Sequence, residues 1–207
     1  MTGKKKEKGT LIVLSGPSGV GKSTVIAEVL HDRPDIHFSV SYTTRSPRVG
    51  EADGVNYNFV SREIFEGMIA RQELLEYAQY VDNYYGTSLK VIRDHLETGT
   101  DVLLEIDVQG AATVREKCPD AVLIFVIPPS FEELSRRLYG RATDDPDVIA
   151  GRLRRAMEEY RQVPKYDYLV INDSVQNATN EILSILTAEG CRVAQRLNVA
   201  HIDPNQI

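Results

Sequence analysis

Residues 11–30 read "LIVLSGPSGVGKSTVIAEVL". Leu11 to Leu14 form an unbroken apolar run, which reads as a strand buried on both faces. Val25, Ile26, Val29 and Leu30 then recur at helical spacing, which reads as a helix with one apolar stripe. Between them, Gly16, Gly21, Lys22 and Ser23 satisfy the pattern G-x-x-x-x-G-K-[ST] in the strand-to-helix setting that gives it physical meaning. Glycines let backbone N–H groups curl around phosphate oxygens without Cβ collisions. The start of the helix adds unpaired N–H donors and a positive dipole end. Lys22 supplies an ammonium for the β- and γ-phosphates, and Ser23 a hydroxyl ligand for Mg²⁺. The loop of Gly16, Pro17, Ser18, Gly19, Val20, Gly21, Lys22, Ser23 and Thr24 is therefore expected to hold a nucleoside triphosphate. Such a site needs a carboxylate at the end of a neighbouring buried strand, and "VLLEID" offers Asp107, with Glu105 two residues earlier. Ser23 and Asp107 are the expected metal-side pair.

Further apolar runs lie in "DVLLEIDVQG" (101–110), "AVLIFVIPP" (121–129) and "YDYLVIND" (166–173). Helical spacing separates or follows them, as in Phe131, Leu134 and Leu138, and in Ile182, Leu183, Ile185 and Leu186. The alternation predicts an α/β fold with a parallel sheet flanked by helices. Two segments break the rhythm. Residues 39–97 carry short tyrosine-rich alternating pieces around a helix starting near Ser61, with Ile64, Phe65, Met68 and Ile69 on one face, and read as an inserted α+β lobe. Residues 136–155 are dense in arginine and interrupted by "DDPD", which suits a small helical lid. The core is then 10–38, 98–135 and 156–207, preceded by a basic tail, 1–9, expected to be disordered.

The chain has 207 residues, 42% of them apolar, enough for one sizeable core. Its net charge of −6 argues against general attraction to nucleic acid or anionic membranes, so any anion site must be built locally. Cys118 and Cys191 match no metal-ligand spacing, which suits a reducing, cytoplasmic setting. No stretch approaches the roughly 20 apolar residues that span a bilayer, and the N-terminal apolar segment is too short for a secretory signal. The final segment, "CRVAQRLNVAHIDPNQI", fits a helix packed on the core or an assembly surface, so a homo-oligomer stays open.

The phosphate loop alone leaves the acceptor undecided. "IND" at 171–173 is no guanine-reading NKxD motif, and no glutamine stands where it would orient an attacking water, which disfavours a GTPase switch. In "SYTTRSPRVGEADGVNYNF", Arg45 and Arg48 with Tyr57 nearby make a candidate clamp for a second phosphate. With "E-x-A" at Glu76, "NYYGT", "EIDVQGA" and the arginine-rich segment, the chain from about Leu11 to Leu186 resembles the guanylate kinases, which move a phosphoryl group from ATP to GMP or dGMP.

The resemblance implies a P-loop NTPase core, a GMP-binding lobe and Mg²⁺ with ATP as donor. It implies that Arg45, Arg48, Tyr57 and Tyr85 hold the GMP phosphate, that Ser41, Glu76, Thr87 and Asp107 face the guanine, and that Asn172 joins the ATP side. Lys22, Arg48, Arg137, Arg141 and Arg152 are the implied catalytic set, the last three swinging in from the lid. The chemistry agrees: guanine N1–H and N2–H₂ can donate together to one carboxylate, whereas adenine would oppose Glu76 lone pair to lone pair. Glu105 stands where some relatives carry Asp, and Thr87 where others carry Ser; whether Asp107 touches guanine, metal water or both stays open. Direct in-line transfer needs no general base, because a phosphate monoester with a second pKa of about 6 is already largely ionised at neutral pH. Closure of about 40–95 and about 136–155 is expected to exclude water. The alternatives are a catalytically weak interaction module of the same fold, and a kinase for AMP, UMP or a small alcohol.

Overall fold

The computed structural model describes residues 8–80, 82–140 and 146–196. Through the first half these run β1 (Leu11–Ser15), α1 (Lys22–Asp32), β2 (His37–Phe38), β3 (Tyr42–Thr43), β4 (Asn58–Phe59), α2 (Arg62–Ala70), β5 (Leu74–Tyr80), β6 (Asn83–Ser88) and α3 (Leu89–Glu97). The second half follows as β7 (Val102–Glu105), α4 (Val108–Lys117), β8 (Val122–Ile127), α5 (Phe131–Tyr139), α6 (Pro146–Tyr160), β9 (Tyr168–Ile171), α7 (Val175–Glu189) and α8 (Val193–Arg196).

All five residues of β1 are buried, because it is the middle strand of a five-stranded sheet ordered β2-β7-β1-β8-β9 with every pairing parallel. Alternate side chains serve opposite faces. Ile12 and Leu14 join Val25 and Val29 of α1 and Ile182 of α7 on one face. Leu11 and Val13 join Ile92 of α3 and Ala111 and Val114 of α4 on the other. This is the expected parallel α/β core. The strand missing from the sequence reading is β2, whose two residues are too few to show a period.

The insertion builds its own sheet, ordered β4-β3-β6-β5, in which β3 pairs parallel with β4 and antiparallel with β6, and β5 antiparallel with β6. Its small core is Phe65, Met68 and Leu74, with Tyr42, Val60, Ile69 and Tyr84 packed against them. Ser61 caps α2, its Oγ accepting from Ile64 N at 3.2 Å. Ile64 departs from expectation: it is 54% exposed, because Phe65, Met68 and Ile69 define a stripe turned one residue away from it.

Two boundaries differ from expectation. Gly9, placed in the tail, is buried and donates its N–H to Leu96 O at 2.8 Å. The chain is thus anchored before β1. The expected lid boundary at 155/156 falls inside α6, which is one helix whose Ile149 and Ala156 are buried in the main core; its apolar positions bind it to that core on both sides of the boundary. Residues 1–7 of the tail and Arg141, in the expected lid, lie outside the described residues. Among the described residues, no helix is long and apolar enough to cross a membrane.

Candidate active site

The loop between β1 and α1 leaves the sheet at Gly16, where a Cβ would stand 2.2 Å from Val126 O of β8. Backbone closeness, not merely flexibility, selects glycine there. At the other end Gly21 is the N-cap of α1 with φ 91°, in the left-handed region that side chains avoid. Having no side chain, it leaves the first-turn N–H groups of α1 facing the loop, the arrangement that receives an anion. Lys22, the first residue of α1, folds its Nζ back to donate to Gly16 O at 2.6 Å and Pro17 O at 3.2 Å. Burial pulls its ammonium below the ordinary lysine value, opposed by the nearby carboxylates of Glu105, Glu159 and Asp107. A buried cation with borrowed carbonyl partners is ready to exchange them for phosphate oxygens.

Val20 is tied from behind. Asn172, just after β9, donates its Nδ2 to Val20 O at 2.7 Å. Arg137 of α5 donates to the same carbonyl at 3.2 Å and to Asn172 O at 2.9 Å, and its Nε to Glu133 Oε1 at 2.7 Å. Asn172 thus acts here on the loop backbone, and Arg137 lies at the loop's edge. Gly19, Gly21, Thr24, Arg136, Arg137 and Asn172 line a concavity of about 490 Å³ there. Arg152 sits half-buried on α6.

The carboxylate that meets Ser23 is not the expected one. Ser23 Oγ donates to Glu105, 3.3 Å from Oε1 and 3.2 Å from Oε2, at the end of β7. Asp107 instead caps α4, its Oδ1 accepting from Gln109 N at 3.1 Å and Gly110 N at 2.9 Å. The reason is local: two residues past the strand, Asp107 is already the N-cap, and its short side chain closes back onto its own turn. Asp107 nonetheless lies within electrostatic reach of both Lys22 and Glu76, between the loop and the lobe.

In the lobe, Arg45 makes a bidentate pair with Glu51, at 2.8 Å and 2.9 Å, and Glu51 also accepts from Arg48 N at 2.7 Å. The Arg45 guanidinium holds the Glu51 carboxyl down to about 2. It also lies 5.4 Å from the Tyr57 ring centre, and Tyr57 meets Tyr85 edge-on at 5.9 Å. Arg45, Tyr57 and Tyr85 are thus brought together, while Arg48 is exposed on the adjoining turn. Ser41 is half-buried immediately before β3.

Glu76 is 4% exposed and accepts a hydrogen bond from the Thr87 hydroxyl across the β5–β6 pair. A bulge makes this possible. The register shifts between Leu74 and Glu76, so Leu74 enters the lobe core, Leu75 enters the main core beside Ala111, and Glu76 is buried too. Burial pushes the Glu76 carboxyl up to about 7; Asp107 adds to the rise, while the Thr87 hydrogen bond and Lys117 oppose it.

A family model described as guanylate kinase matches residues 8–189. The chain belongs to the guanylate kinase family. A guanylate kinase of Latilactobacillus sakei is 56% identical over 187 residues, covering 90% of this chain and 92% of that one. One of Halalkalibacterium halodurans is 52% identical, covering 95% and 96%. Among solved structures, a guanylate kinase from Anaplasma phagocytophilum is 35% identical, with a TM-score of 0.77 over 92% of this chain and 91% of that one. In this guanylate kinase family member, Glu159 is a residue that sequence reading passed over. It stands on α6, in "AMEEY", with no motif to mark it, and the fold returns it to electrostatic reach of Lys22 and Asp107. Burial raises its carboxyl above the usual range.

Proposed function

We propose that this chain transfers the γ-phosphoryl group of ATP directly to GMP, and to dGMP, releasing ADP and GDP or dGDP. The observation that carries the reading is Glu76: a buried carboxylate that accepts a hydrogen bond from the Thr87 hydroxyl, across Asp107 from a phosphate loop. Guanine offers two adjacent N–H donors to such a carboxylate and O6 to a hydroxyl, and adenine does not. Ser41 and Asp107 complete the base side. Arg45, Arg48, Tyr57 and Tyr85 hold the acceptor phosphate, with Glu51 orienting Arg45 by its two-point contact.

On the donor side, Gly16 to Thr24 and Asn172 hold ATP, with Lys22 on its β- and γ-oxygens. Ser23, at the start of α1, Glu105, at the end of β7, and Asp107, just past it, are hard oxygen donors, a set that suits Mg²⁺. Bound there with ATP, Mg²⁺ would neutralise phosphate charge. Both substrates are polyanions, so an attacking oxygen can approach the γ-phosphorus to about 3–3.5 Å only where fixed cations offset the repulsion. Lys22, Arg48, Arg137, Arg141 and Arg152 supply them. Closure of about 40–95 and about 136–155 toward the sheet, with α6 moving as one helix, would exclude water, so that GMP, not water, accepts the phosphoryl group. We place this activity in purine nucleotide metabolism in the cytoplasm, with no nucleic-acid or membrane partner, and with self-association open.

With [γ-³²P]ATP and Mg²⁺, label is expected in GDP in step with ADP formation, and little in inorganic phosphate when GMP is omitted. Label accumulating in inorganic phosphate with or without GMP contradicts the reading.

A further inference from the structure

Gly110 lies in the first turn of α4, three residues after the capping Asp107. It is not among the glycines with positive φ, so its backbone makes no demand that another residue could not meet. Glycine is the poorest helix former after proline, so on local grounds alanine would serve better. Space supplies the reason. A Cβ on residue 110 would stand 2.7 Å from Glu76 Oε2 and 3.2 Å from its Cδ, while Ile106 Cβ would be at an ordinary 3.4 Å.

Glu76 belongs to the other sheet. Thr87 holds its Oε1 on one side, and Oε2 rests in the hollow over Gly110. The far end of the same helix is also fastened to β5, with Lys117 Nζ donating to Leu75 O at 2.5 Å. Helix α4 therefore forms a wall of fixed position against which the Glu76 carboxylate is seated. The base-reading group is held between lobe and core.

We infer that Gly110 is a positioning residue for base selection: by lacking a side chain it sets the depth at which the Glu76 carboxylate stands, and so which purine edge fits against it. The inference rests on the proposed role of Glu76 toward guanine. A carboxylate displaced outward meets N1–H and N2–H₂ before the GMP phosphate reaches Arg45, so base and phosphate contacts no longer form together.

The test is Gly110→Ala. Oε2 is the free end of a flexible side chain, so the clash is relieved by turning the carboxylate, and the fold is kept. Steady-state assays should show kcat/KM for GMP falling about 10²-fold, the cost of a misplacement of about 1 Å. The KM for ATP should stay unchanged. In the Glu76→Asp background, where the carboxylate is one methylene shorter, adding Gly110→Ala should change GMP use by less than about threefold, the non-additivity expected of contacting residues. In the Glu76→Ala background it should raise the melting temperature, because the helix gains a better former and meets no carboxylate.

An unchanged kcat/KM for GMP in Gly110→Ala overturns the inference. So does an equal rise in the KM for ATP and GMP, or the same loss in the Glu76→Asp background, either of which marks a helix-packing role. If Gly110→Ala does not fold, Glu76→Ala/Gly110→Ala must; its failure to fold also overturns the inference. Undiminished GMP use by Glu76→Gln would instead remove the reading of Glu76 itself, and the inference with it.

Discussion

Lys22→Met lowers kcat for ATP-dependent GMP phosphorylation by about 10³-fold, the scale of losing a fixed charge aimed at the developing negative charge of the transferred group. Lys22 Nζ is already inside the loop, on Gly16 O and Pro17 O, so its ammonium needs no large movement to reach phosphate oxygens. Methionine matches the length of the stem and abolishes the charge. The same geometry predicts that the fold survives. Burial of the ammonium works against its charged form, so replacing it by an apolar group relieves a cost while leaving two carbonyls without that donor. Thermal unfolding without nucleotide should therefore change little. ATP should raise the melting temperature of the parent chain and not that of the variant. Turnover within a few-fold of the parent would remove the loop from the mechanism.

Glu76→Gln is expected to lower kcat/KM for GMP by about 10³-fold, because the amide nitrogen opposes a guanine donor and a charge-assisted pair is lost. The KM for ATP should stay near the parent value. The parent should also lose GMP affinity below pH 7, since the carboxyl, raised to about 7, must be ionised to accept both donors. The variant should lack that step. Stability should move the other way. A carboxyl raised from 4.5 to about 7 in the folded chain contributes stability that is full below pH 4.5 and lost as pH rises through 7. At pH 8 the fold thus bears an unfavourable term on the order of 3 kcal/mol, which glutamine removes. Glu76→Gln should melt several degrees above the parent at pH 8 and show no gain at pH 4.5. Equal losses in ATP and GMP use, or a lower melting temperature at pH 8, would count against a base-reading carboxylate held in the buried site.

These expectations mark where the sequence was informative. The phosphate loop was legible because its determinants are contiguous: β1, the glycines and α1 follow one another, and each residue acts within about ten positions of the next. The same holds for α2, whose cap at Ser61 and stripe of Phe65 and Met68 are local. What the sequence concealed depends on contacts between distant segments. Strand β2 exists because His37 and Phe38 find Val102 and Leu103 alongside, not because two residues carry a pattern. The bulge at Leu75 breaks the alternation of "LLEYAQY" and buries three consecutive residues, which no period-two reading anticipates. Asp107 and Glu105 look equivalent as carboxylates ending a strand, but α4 begins at Val108 and claims Asp107 as its cap, leaving Glu105 for Ser23. Glu159 and Gly110 acquire meaning only once α6 and α4 are packed, against the loop and against β5.

One molecule is expected to bring two mutually repelling nucleotides together and to admit the second by its guanine edge. The most direct test is the acceptor profile of the purified chain with Mg²⁺ and saturating ATP, following ADP formation with GMP, dGMP, AMP and UMP in turn. With this chain kcat/KM for GMP is expected to exceed that for AMP by at least about 10⁴-fold, the discrimination expected when a mismatched base leaves buried polar groups unpaired. ADP formation that is as fast with AMP, or unaffected by adding GMP, would contradict it.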